Sequence, residues 1–402
     1  MPNPLLTYYT GVIRRAARTS SAAALACVLG FPPAAPAQDL AFPGGIIWQL
    51  RIDPPPAQLP AFDDHTAYFA LPDRTVRAID HATGATRWTA AEPSTVRPAS
   101  SGRYLAGADG ASAWAIDAAS GRSLWRRGLG SAAIASPAVT TAGAVFLTDA
   151  GDLVLAAWAD GRDVWRARMP GRVSAPLEAG ADLLWVGLDQ GQVLAIRLTD
   201  GTQAWTRTLG ASVLGLTVIG DRVLAGATDN FLYALSTRDG GVAWRWRTGG
   251  DVVGHAVADA RRVYFTSLDA MVRAVDRRHG DLRWQRPLTT RPVGDPVLAG
   301  TQVIVAGVSP ELRAFRASDG GLAATAPVPG RPLHGPFLAP ESASAPARLI
   351  VLIAGGHFMA FGQTVEPMLV PLDMTSWKTL PPERPPVTVG TDDRSRDTRQ
   401  AR

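Results

Sequence analysis

The chain has 402 residues, 46% of them hydrophobic, with 40 basic and 35 acidic side chains and a formal charge of +5. Setting aside Arg14, Arg15 and Arg18, which belong to an N-terminal leader, leaves 37 basic against 35 acidic residues, or +2. The apolar content suffices for a large core, and the arginines are scattered among acids along the chain, so the composition excludes a dedicated nucleic-acid surface.

Residues 1–37 read as an export signal. Arginines run up to Arg18, an uncharged apolar stretch spans Thr19 to Phe31, and an Ala-x-Ala site at Ala35 and Ala37 places cleavage before Gln38. A twin-arginine route would rest on Arg14-Arg15 alone. Cys27 follows Ala24-Leu25-Ala26, close to a bacterial lipobox but with Ala24 where leucine normally stands. One reading removes Cys27 with the signal and leaves a mature chain without cysteine; the other acylates it and makes an outer-membrane lipoprotein. No later stretch approaches ~20 uninterrupted apolar residues, so no transmembrane segment is expected.

From Gly44 onward one unit recurs. Trp48, Trp88, Trp125, Trp165, Trp205, Trp244 and Trp284 each stand four residues after a glycine, and from Gly84 on that glycine closes the pattern A-x-D-x-x-(T/S/D)-G. The glycines are Gly84, Gly121, Gly161, Gly201, Gly240, Gly280 and Gly320, the last followed by Ala324 in place of tryptophan. Unit starts at Ala78, Ala115, Leu155, Ala195, Ala234, Ala274 and Ala314 lie about forty residues apart, a period that marks an array of supersecondary units. Within each, alternating apolar residues broken by turns every eight to twelve positions predict antiparallel strands, four per unit. That is a β-propeller blade. A last partial unit, Leu349 to Phe361, lacks its outer hairpin, and the orphan strand Gly44 to Trp48 supplies it. The expected fold is all-β: an eight-bladed propeller over 38–361, closed by the N-terminal strand, with a Pro-rich, disordered tail over 362–402 and a monomeric state. The glycines are placed at hairpin positions of positive φ, and each indole is placed on the outer strand, packed on the neighbouring blade.

These residues resemble the PQQ-type β-propeller repeat from Gly44 to Phe361. That repeat serves both quinoprotein dehydrogenases and cofactor-free scaffolds. Among the scaffolds, length, blade number and export make the chain similar to the BamB-type subunit of the outer-membrane β-barrel assembly machinery. The resemblance implies a non-enzymatic, periplasm-facing lipoprotein whose protein partner is the barrel-assembly complex.

The alternative, a PQQ-dependent dehydrogenase with Ca²⁺ in the channel, would need Glu and Asn ligands, a catalytic Asp and, in most such enzymes, adjacent cysteines. Only Asn230 is available beyond the leader, and Asp229-Asn230-Phe231 reads as a turn. The histidines are read as falling singly in different units, without metal-ligand spacing. His255, Asp295 and His334 are placed on innermost strands, where they would converge at one channel mouth as solvated channel residues or as an anion or metal site. A third reading makes the protein a sensor with a small molecule in the funnel. The preferred reading is a non-catalytic exported scaffold without catalytic, cofactor or metal residues. Two departures from regularity, Pro340 to Ala347 and the tail, are placed as candidate partner-binding segments.

Overall fold

The computed structural model describes residues 42–339, 341 and 346–363. The leader with Cys27, most of the Pro340 to Ala347 stretch and the tail from 364 onward lie outside the described residues. Among the described residues the 32 strands form eight four-stranded antiparallel sheets. Blade 4 is representative: Glu178–Ala179, Leu183–Gly187, Gln192–Arg197 and Gln203–Thr208 pair in sequence from the innermost strand outward. Blades 1 to 7 start at Ala61, Ala99, Ala138, Glu178, Val213, Val257 and Val297. In blade 8 the strands Phe337–Ala339, Arg348–Ile353 and His357–Gly362 are completed by Gly45–Arg51, which pairs antiparallel with His357–Gly362. The N-terminal strand therefore closes the ring, as the repeat arithmetic requires.

The alternation seen in the sequence is that of sheets buried on both faces between their neighbours. Most second and third strands carry four or more buried residues in succession, as in Leu153 to Ala156; the third strands of blades 1 and 7 are interrupted by half-buried Arg77 and Arg313. Eight apolar clusters form, each bridging two adjacent blades; Leu155 and Trp165 of blade 3, for example, pack with Leu184 and Ile196 of blade 4. Burial of apolar area between blades, rather than within one, is the main favourable term.

The tryptophans join the blades by a repeated bond. Each indole N–H donates to a backbone carbonyl in the turn between the third and fourth strands of the next blade. The pairs are Trp48 to His81, Trp88 to Ala118, Trp125 to Trp158, Trp165 to Leu198, Trp205 to Thr237, Trp244 to Arg277 and Trp284 to Ala317, at 2.8–3.2 Å. A register shift beside every one of them, as between Ala195 and Ile196 opposite Trp205, adds a residue to the outer strand and helps to aim the ring. The unit glycines have two jobs where one was expected. Gly201 has φ +74, the left-handed region, and a Cβ there would lie 2.8 Å from the ring of Trp165 in the preceding blade. The indole lies flat on bare backbone. The same approach recurs from Gly84 beneath Trp48 to Gly320 beneath Trp284.

Blade 7 lacks its indole at Ala324. Phe42, 5% exposed, enters the cluster that joins blades 7 and 8, which Ala324 also touches, and meets Phe361 edge-on at 6.4 Å between ring centroids. At the other side of blade 8, Arg348 donates to the same His81 carbonyl as Trp48, so the non-covalent closure carries two donors on one acceptor.

Candidate functional site

The innermost strands open with a short motif, an X-Pro or X-Ala step at one register. It reads Arg97-Pro98 in blade 2, Ser136-Pro137 in blade 3, His255-Ala256 in blade 6, Asp295-Pro296 in blade 7 and Gly335-Pro336 in blade 8. His255, Asp295 and His334 stand immediately before their innermost strands rather than on them. The structure does bring the three together, and it adds Arg97 and Glu178, which were not singled out from the sequence. Glu178 lies on blade 4's first strand. Arg97 was legible in principle, because Arg97-Pro98-Ala99 matches Asp295-Pro296-Val297 in register.

His255 is the centre of the group. Its Nδ1 lies 3.0 Å from Asp295 Oδ2, its backbone N–H donates to Asp295 Oδ1 at 2.7 Å, and its Nε2 lies 3.9 Å from Glu178 Oε2. All three side chains are about one-fifth exposed. Burial alone would push the His255 imidazole down; the Asp295 carboxylate, its hydrogen bond and then Glu178 outweigh it, and the pKa lies above the ordinary histidine value. Burial would raise Asp295, but the His255 cation and hydrogen bond, followed by His334, hold it below the usual carboxylate range. Burial pushes Arg97 down to about 10 against the opposing pull of Asp295. The Arg97 guanidinium also donates to the Pro60 carbonyl at 3.0 Å. Burial keeps His334 below its ordinary value, with Asp295 opposing; its Nδ1 lies 3.0 Å from the Gly335 carbonyl.

A histidine with a carboxylate facing each ring nitrogen has its charged form favoured, and that form is poorly suited to take a proton from a nucleophile. Arg97 and His255 balance Glu178 and Asp295, and the balanced set links blades 2, 4, 6 and 7 electrostatically. Among the described residues no group of three or more His, Cys, Asp or Glu side chains is placed to hold a metal ion. Asn230 stands at φ 63 in the tight turn after Asp229, whose carboxylate accepts from Phe231 N–H, so it does not join the channel group. The histidines are not single in their units: His65 and His81 share blade 1 with ring centroids 6.4 Å apart, and His255 and His279 share blade 6. The sequence reading missed this because His65 precedes Ala78 and His255 precedes Ala274, where the units were taken to start.

The family model described as outer membrane protein assembly factor BamB matches residues 72–213 and 189–341. An outer membrane protein assembly factor BamB of Burkholderia pseudomallei (strain K96243) is 36% identical over 152 residues, 35% of this chain and 39% of that protein, so the match spans well under half of the relative's length. The crystal structure of BamB from Moraxella catarrhalis superposes with a TM-score of 0.64 at 17% identity, over 79% of this chain and 99% of that one. A quinohemoprotein alcohol dehydrogenase from Comamonas testosteroni does so with a TM-score of 0.61 at 14% identity, over 79% and 76%. At such identities each of the two likenesses shows the fold alone. With the family model matching more than half of its length, the chain belongs to the family described as outer membrane protein assembly factor BamB.

Proposed function

We propose that the protein is a non-catalytic scaffold of the cell envelope, exported and periplasm-facing, that binds a protein partner in outer-membrane β-barrel assembly. Family membership supports the assembly role. One observation carries the binding reading: the ring is not uniform at its outer edge. Two residues before each interlock position, the exposed outer-strand residue is Thr86, Ser123, Asp163 and Gln203 in blades 1 to 4. In blades 5 to 8 it is Val242, Leu282, Leu322 and Ile46, exposed by 46, 39, 50 and 51%. The register is the same throughout, so the fold does not demand apolar side chains there. Among the described residues, each outer strand also has an unpaired backbone edge. Apolar side chains beside free backbone donors and acceptors suit an extended segment of a partner added as a further strand.

The reading needs no cofactor. The dehydrogenase alternative finds its one asparagine in a turn and its channel group charge-balanced, and we infer that PQQ and Ca²⁺ are not bound. Lipid attachment at Cys27 and a start at Gln38 exclude one another, and mass analysis of the mature N-terminus distinguishes them. For the scaffold itself, affinity purification of wild type against Leu282→Glu/Leu322→Glu is the test. Recovery of a barrel-assembly component with wild type and its loss with the double variant supports the reading; equal recovery, or none of that machinery with either, removes it.

A further inference from the structure

The repeat supplies its own control for charge. The arginines, read from the sequence as scattered, gather on blade 6. An open groove of about 740 Å³ between the turns of blades 5 and 6 is lined by Arg222, Arg261, Arg262, Arg277, Arg278 and Arg283, with His279, against Asp221 and Asp276 only. Both acids are engaged. Asp221 pairs with Arg222 at 2.7 Å. Asp276 accepts from Arg283 at 2.6 Å and from the backbone N–H groups of Arg278 and His279, and its carboxyl is held far below the usual range by those bonds. Arg262 lies 3.6 Å from Asp259. Arg277 reaches only the Asp259 backbone carbonyl, and Arg261 and Arg278 have no carboxylate within ion-pair distance among the described residues.

The fold does not ask for these charges. Arg277 contributes its carbonyl to the interlock with Trp244, a role that His81, Ala118, Trp158, Leu198, Thr237 and Ala317 fill in other blades with unrelated side chains. The turn positions of Arg261-Arg262 are Arg103-Tyr104 in blade 2, Asp182-Leu183 in blade 4 and Thr301-Gln302 in blade 7, so only blade 2 of these three has an arginine there, and it has one rather than two. The turn aspartate is kept in blade 6, as Asp276, so the arginines are added to a turn already stabilised. Three guanidinium groups without carboxylate partners around one groove repel one another, and apart from the bond of Arg277 to the Asp259 carbonyl they leave their donors to solvent, a cost that a multivalent anion removes. Arginine's planar fork matches phosphate oxygens in particular.

We propose that this groove is a phosphate-group site, taking a phosphomonoester or phosphodiester carried by a soluble ligand or by a lipid headgroup. It stands independently of the assembly reading, because its argument rests on the turns of blades 5 and 6 and not on the outer edge of the ring.

The test uses the full mature chain. Pyrophosphate binding is followed by titration calorimetry, and sedimentation is measured with phosphatidylcholine vesicles with and without phosphatidylglycerol. Binding should weaken by about tenfold or more in Arg261→Ser/Arg278→Ser. It should remain in Arg122→Ser/Arg162→Ser, which removes exposed arginines from the corresponding turns of blades 2 and 3. Both pairs are solvent-facing, and an unchanged near-ultraviolet tryptophan spectrum confirms that each variant is folded. Vesicle retention that requires phosphatidylglycerol and is displaced by pyrophosphate identifies a headgroup; pyrophosphate binding without vesicle retention identifies a soluble ligand. The proposal is overturned if neither probe binds, if the blade 6 variant binds as wild type does, or if a polyglutamate peptide binds as tightly as pyrophosphate.

Discussion

At the scale of single residues, the interlock is a pair, not a lone side chain: an indole on one blade and a glycine on the next. Trp205→Ala removes a ring that is 8% exposed and its bond to Thr237, and should cost about 3–5 kcal/mol, read from the urea midpoint. Gly201→Ala should be destabilising without touching any tryptophan, by about 1–3 kcal/mol, because the new methyl meets the Trp165 ring and φ +74 is strained for alanine. A stability equal to wild type for either variant would count against the pairing. Ala270 offers the opposite case. It holds φ 58 in the turn where blades 3 and 4 use Gly151 and Gly191, so Ala270→Gly should gain up to about 1 kcal/mol.

The channel group makes a pH prediction at the same scale. His255 is raised in the folded state, so its contribution is fully present below about 6.5 and is lost as pH rises through the folded value. Asp295 is lowered, so its contribution is present above about 3.9 and is lost as pH falls through its folded value. The window of greatest effect is mildly acidic. His255→Gln should therefore cost about 1–3 kcal/mol near pH ~5.5 and less near pH ~9, with Arg97, Glu178 and His334 present in both proteins. A thermal midpoint difference that is flat in pH, or larger at high pH, would contradict the ion pair.

At the scale of elements, the strand Gly45–Arg51 and Phe42, three residues before it, carry more than ring closure. Phe42 and Ala324 belong to one cluster, so the ring of Phe42 occupies apolar space at the junction where the series of indoles is interrupted. Phe42→Ala should cost about 3–5 kcal/mol. Ala324→Trp should destabilise wild type by overpacking yet partly rescue Phe42→Ala, a non-additivity measurable in a double-mutant cycle. Strand number, blade number and closure were legible because the repeat imposes them at every tryptophan. The interlock acceptors were not, since a backbone carbonyl leaves no trace in side-chain identity: His81, Ala118 and Arg277 share one role and no chemistry. Of the channel group, His255, Asp295 and His334 stood out as titratable residues near chain positions that repeat. Arg97 shares the register of Asp295 and could have been found by aligning the units, whereas Glu178, which lies on its strand outside that motif, was hidden because its significance lies in facing His255 across the ring.

At the scale of the whole molecule, the ring is regular in its core and asymmetric on its rim. Every blade keeps the apolar clusters that stack it on its neighbours, whereas an apolar side chain two residues before the interlock position occurs in blades 5 to 8 only, with Val164 of blade 3 exposed one residue further along, and the arginine groove is limited to blade 6 and its border with blade 5. Stacking sets the first pattern and tolerates the second, so the rim is where binding differs from folding. For the channel, incubation with PQQ and Ca²⁺ should yield no bound chromophore and no dye-linked dehydrogenase activity; either signal would restore the enzyme reading. The central claim is that the outer edge of blades 5 to 8 binds a partner of the barrel-assembly machinery. Its most direct test is photo-crosslinking in intact cells from a probe residue placed at Leu282 or Leu322, against the same probe at Thr86 or Gln203. Crosslinks to a barrel-assembly component from the first pair and not from the second are predicted; equal labelling from both pairs, or labelling from Thr86 and Gln203 alone, would contradict it.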